Sequence, residues 1–175
     1  MADIVRRAAK AVIRVSPTLD TGAYADNDVF FNATEIPKAV IGEGGCSKLV
    51  GLTILNEDDV AHDHDLIFMQ VSTDLANALN VAVGTGSKWT NALAKAAKVL
   101  GMIKIDWSDS SVDMVNNLIW SGRQDSIDDA NSGVPIPMLL QAEADSTSVY
   151  FAGVSRGGTP TTAADDYEYI FHIEY

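Results

Sequence analysis

His62, Asp63, His64 and Asp65 follow Glu57, Asp58 and Asp59 in one short run of ionisable side chains. On an extended backbone two imidazoles two residues apart face the same way and the two aspartates face the other, so a single ion could meet both rings. A zinc centre takes at least three protein ligands, and no spacing brings His172, the remaining histidine, close to them. A calcium loop needs a glycine turn and a closing bidentate glutamate, and neither stands at the required offset. Counting ligands therefore predicts no metal and no cofactor. His62 and His64 are the only metal candidates, set against the default of a solvated acidic tip to a hairpin.

Other segments offer weaker chemistry. "VGTGSKWT" (83–90) has the glycines of a phosphate loop, but Ser87 precedes Lys88 and Trp89 follows it, where that motif needs Gly-Lys-Ser/Thr. A turn ahead of a helix is the expectation. Asp106, Asp109 and Asp113, like Asp125, Asp128 and Asp129, could supply a glycosidase pair only if two of them met across a cleft. Both stretches read instead as exposed connections. Serines are plentiful, yet no G-x-S-x-G elbow is present. No catalytic residue is predicted, and the chain is not expected to be an enzyme. Cys46 is the single cysteine, which precludes an intrachain disulfide and a thiolate cluster, and its apolar neighbours predict a buried structural thiol. Asn32 opens an Asn-Ala-Thr sequon that would matter only in a secretory pathway.

Acidic residues outnumber Lys and Arg by 24 to 12 in 175 residues, a formal charge of -12. That field repels nucleic acid and anionic membrane, and neither is expected as a partner. No apolar run reaches the roughly 18 residues that span a bilayer, and the first fifteen residues lack the apolar stretch of a signal peptide. Against the acidic background, Arg6, Arg7, Lys10 and Arg14 cluster at the N-terminus. They suit either the charged face of an edge strand that discourages aggregation or a docking edge for an acidic partner.

Residues 4 to 15 alternate at period two, with Val5, Ala9, Ala11, Ile13 and Val15 opposite Arg6, Lys10 and Arg14, as a strand or arm would. "GEGG" (42–45) is a turn into a strand at 48–55, which is expected to pair with 66–72 through the acidic tip. Trp89, Leu93, Ala96, Ala97 and Leu100 have helical spacing with Gly101 as C-cap, predicting one short helix around 87–100. The closing "DYEYIFHIEY" sets Tyr167, Tyr169, Phe171, Ile173 and Tyr175 on one face of a half-buried strand. About eight strands, one helix and no βαβ alternation predict a mainly all-β fold: one jelly-roll-like β-sandwich domain over 1–175.

The segments "VSPTLDTGAYADNDVFF", "GEGG", "LVGLTILNEDD", "DLIFMQ", "NALAKAAKVLGMIKI" and "GVPIPMLLQAEADSTSVYFAGVSRGGTPTTAADDYEYIFHIEY" occur in an order that resembles small tailed-phage virion proteins, above all head-decoration (cement) proteins. The sequence departs from that pattern at Asn27, where the opening often has glycine, and in its longer "DDVAHDHD" tip. The resemblance implies a non-enzymatic subunit on the head surface, often a homotrimer, that binds the major capsid protein and stabilises the shell. Arg6, Arg7, Lys10 and Arg14 would then be capsid-interface candidates, and Trp107, Trp120 and Tyr175 oligomer-interface candidates. A tail, adaptor or baseplate component is the structural alternative. A jelly-roll carbohydrate- or metal-binding module is the alternative of another class.

Overall fold

Alternating apolar and polar residues build ten strands among the residues that the computed structural model describes, which are 9–58, 60–107, 111–114, 117–122, 136–157 and 161–175. They are β1 (Lys10–Val15), β2 (Val29–Ile36), β3 (Cys46–Asn56), β4 (His64–Met69), β5 (Val99–Ile105), β6 (Ser111–Asp113), β7 (Leu118–Gly122), β8 (Met138–Gln141), β9 (Val149–Ser155) and β10 (Tyr167–Glu174). One sheet runs β1-β10-β3-β7-β6, with β8 also beside β3; the other runs β2-β9-β4-β5. Every pairing is antiparallel. The steps β1 to β2, β3 to β4 and β9 to β10 each cross between sheets, which is the winding of a jelly roll. The expected fold class holds, with β6 and β8 as additions to the eight-strand pattern.

That winding corrects the expected hairpin between 48–55 and 66–72. β3 pairs with β10, β7 and β8, whereas β4 pairs with β5 and β9, so the acidic segment is a crossover between layers. Both strands have an inward apolar face, and facing each other across the core buries both faces.

The expected helix is shorter than its pattern. α1 covers Asn91–Ala96, capped by Thr90, whose hydroxyl accepts from the Leu93 N–H at 3.3 Å. Lys98, at φ 51, takes the left-handed position past the helix end, and Gly101 lies inside β5 rather than at the C-cap. Val99 to Ile105 are pulled into the sheet because they pair with β4, a tertiary gain that outweighs helical spacing. Before the helix, a 3-10 turn at Thr85–Ser87 has Gly84, Gly86 and Ser87 all at positive φ. The glycine-rich motif is thus a turn, as its residue order implied.

Between the sheets, β10 places Tyr167, Tyr169, Phe171 and Ile173 inward against Phe31, Phe68, Phe151 and Leu52, all at most 1 % exposed. Phe151 sits edge-on to Phe171 and to Tyr169, with centroids 5.0 and 5.2 Å apart. A second apolar cluster covers the outer face of the four-stranded sheet. There Met69, Ala152 and Val154 meet Leu75, Ala76 and Ala97 from the long β4–β5 connection. Asn32 on β2 fastens that connection: its Oδ1 accepts from the Leu75 and Ala76 N–H groups and its Nδ2 donates to the Ala76 carbonyl. The sequon asparagine is therefore a structural clamp.

Trp107 and Trp120 are 2 % and 3 % exposed inside this core, which corrects their expected place at an oligomer interface. An indole already covered by its own protomer has almost no area left to give a neighbour. Tyr175 is half-buried, and its hydroxyl donates to the Lys38 carbonyl at 2.7 Å. Cys46 is exposed at the start of β3, against the expectation of a buried thiol. It occupies an outward position of the strand, and its neighbours Ser47 and Leu49 take the inward ones.

Candidate functional site

The two histidines that could do chemistry are buried, which corrects the expected solvated tip. His62 is 2 % exposed and His64, the first residue of β4, is fully buried. Their phase explains it: 62, 64, 66 and 68 form the inward row of an extended segment, so the rings continue the line of Leu66 and Phe68 into the core.

The rings sit in an aromatic cage at one end of the sandwich. Phe30 lies 4.8 Å from His62 and 4.9 Å from His64, Tyr24 stacks on His62 at 6.0 Å, and Tyr167 is edge-on to Phe30 at 5.2 Å. His64 Nδ1 lies 2.7 Å from the His62 carbonyl and its Nε2 lies 2.8 Å from the Tyr169 hydroxyl. A carbonyl only accepts, so Nδ1 carries the proton and Nε2 accepts from Tyr169. Burial disfavours the imidazolium and pushes His62 down to about 4 and His64 to about 3. The same burial pushes the Tyr169 and Tyr167 hydroxyls far up and Tyr24 to about 12. At neutral pH the cluster is therefore uncharged, with the His64 ring hydrogen-bonded at both nitrogens and His62 Nε2 buried without a partner among the described residues.

This arrangement has little to offer a metal. Both nitrogens of His64 are engaged within the protein, so the pair cannot present two imidazole lone pairs to one ion. Among the described residues no three His, Cys, Asp or Glu side chains stand close enough to hold a metal ion.

The segment's carboxylates hold the crossover in place. Asp63 Oδ1 accepts the Trp107 N–H at 3.0 Å, and the Asp63 carbonyl accepts the Arg156 N–H at 2.9 Å. Asp65, its side chain 5 % exposed, pairs with the Arg156 guanidinium at 2.7 Å through both Nε and Nη2. Arg156 also donates to the Asn27 side-chain carbonyl. Asn56, fully buried at the end of β3, donates to the Tyr167 hydroxyl at 3.0 Å and to the Val60 carbonyl at 2.9 Å. Arg156 and the Asn56–Tyr167 contact had no signal in the sequence, because Asp65 and Asn27 lie far from Arg156 along the chain and Tyr167 lies far from Asn56. The burial of His62 and His64 did have one, the phase they share with Leu66 and Phe68.

The remaining candidates scatter. Arg14 pairs with Glu168 at 2.5 Å on the outer surface, and Lys10 stands opposite Glu174. Arg6 and Arg7 lie outside the described residues, as do Asp109, Asp125, Asp128 and Asp129. Asp106 serves the fold through its carbonyl, which accepts the Trp120 indole N–H at 3.0 Å. Comparison with family models, curated proteins and solved structures finds no match to this chain.

Proposed function

We propose that the chain is a structural, non-enzymatic protein of a tailed-phage virion: a decoration protein that sits on the outer head surface, binds the major capsid protein and stabilises the shell. One observation carries the reading: the segments that resemble decoration proteins supply the framework of a jelly roll, an architecture that viral capsid domains use. "VSPTLDTGAYADNDVFF" leaves β1, is pinned by the Tyr24 hydroxyl to both the N–H and the carbonyl of Asp20, and enters β2. "GEGG" makes its turn with Gly42 and Gly44 at φ 76 and 66, and leads into β3. The final segment supplies β8, β9 and β10.

The departure at Asn27 is consistent with the same frame. Its φ is 66, in the left-handed region that glycine and asparagine tolerate best, so the residue differs while the backbone demand stays the same. Fold alone assigns no function, so the test must be made on particles. Heads assembled without this protein should release their DNA at a lower temperature, and adding the purified protein back should restore the wild-type value. Heads whose stability is indifferent to the protein would overturn the reading.

A further inference from the structure

On the reading of the chain as a shell-binding protein, the geometry points to the way it docks: β1 accepts one additional antiparallel strand from an acidic partner segment with carboxylates four residues apart. β1 ends the larger sheet, and its register with β10 runs from Lys10–Glu174 to Val15–Tyr169 without a bulge. The Tyr175 N–H donates to the Ala9 carbonyl at 2.8 Å, which makes Ala9 and Tyr175 a hydrogen-bonded pair. Antiparallel pairs alternate, so Ala11, Ile13 and Val15 bond to β10 while Lys10, Val12 and Arg14 turn their N–H and C=O groups away from it. Among the described residues nothing bonds to those outward groups. This is a ready template for strand addition.

Charge selects the occupant. Lys48, Glu174 and Lys10 stand in one row across β3, β10 and β1 with alternating sign, and Arg14 reaches Glu168 on β10. The ladder stops at β1 on two cations that share a face with Val12, which is 60 % exposed. A further strand continues the alternation if acids stand opposite Lys10 and Arg14 and a small apolar residue opposite Val12. A second copy of β1 does not suit the edge. Antiparallel self-pairing centred on Val12 sets Lys10 against Arg14 twice, between chains that each carry a formal -12.

The test uses the full chain, isotope-labelled, and an eight-residue capped peptide with glutamate at positions 2 and 6, valine at 4 and threonine elsewhere. The glutamate peptide should shift the amide signals of Lys10, Val12 and Arg14, and a control with lysine at positions 2 and 6 should bind at least about tenfold more weakly. Val12→Pro removes an outward N–H at an edge-strand position, where proline is tolerated, and should abolish the response while the amides of Ala11 and Ile13 stay protected from hydrogen exchange. The double variant Lys10→Glu/Arg14→Glu should reverse the preference between the peptides. Absence of any shift at millimolar peptide, or equal response to both peptides, would overturn the inference. In a second arm, stripped heads should retain the wild type and lose both variants by roughly tenfold or more. Heads that retain the variants as well as the wild type overturn strand addition and leave the functional reading standing. Heads that fail to bind even the wild type overturn the functional reading, and the peptide result still decides the docking mode.

Discussion

His64 shows how a group with catalytic potential becomes a structural one. Its two nitrogens are used, one by the His62 carbonyl and one by Tyr169, inside a cage of Phe30, Tyr167 and Tyr169. Tyr169→Phe keeps the ring and removes the donor, leaving a buried acceptor unsatisfied; urea unfolding should show a loss of about 1–3 kcal/mol. The cluster also sets a pH dependence. The folded values of about 4 and about 3 lie below the ordinary 6.5, so the unfolded chain takes up protons that the folded chain refuses. The stabilisation is complete above pH 6.5 and is lost as pH falls, by about 1.4 kcal/mol per pH unit for each ring, until each folded value is reached. Unfolding free energies measured between pH 7.5 and 4.5 should therefore slope, and in His62→Phe the slope should be shallower by one proton. A slope unchanged in that variant would mean that His62 takes up its proton as readily in the folded protein as in the unfolded chain.

At the scale of elements, the long connection between β4 and β5 is held to its sheet by the apolar cluster, by backbone bonds of Asn80, Val81 and Val83 to β2 and the residues before it, and by the Asn32 side chain. Asn32→Ala deletes three hydrogen bonds to Leu75 and Ala76. It should cost about 1–3 kcal/mol and speed hydrogen exchange at those two amides well before the β10 ladder opens. In β9, a Cβ on Gly153 would stand 2.4 Å from the Phe31 ring, so Gly153→Ala should cost about 1–3 kcal/mol by overpacking, read as a lowered melting temperature. Neither role could be read from local spacing. The strands themselves could: the alternation from Tyr167 to Ile173 fixes β10, and the turn residues around "GEGG" fix the start of β3. What failed was pairing, because a jelly roll puts sequence neighbours such as β3 and β4 in opposite layers. Solvation of the acidic run failed for a related reason. Charge density suggests an exposed tip, whereas the phase of the segment and the crossover send Asp65 to Arg156 and both imidazoles inward.

Over the whole molecule the two sheets differ. The four-stranded sheet has its outer face covered by the β4–β5 connection, and the larger sheet ends at β1 in a regular edge whose cations interrupt an acidic surface. On the proposed function, the β1 edge would meet the shell and the acidic remainder would face water. The proposed function predicts where the protein resides. An imaged reconstruction of the intact virion should show jelly-roll density of this size repeated over the outer head surface at capsomer junctions, in a copy number comparable to that of the major capsid protein. Density confined to a single vertex or to the tail, or none on the particle, would contradict it.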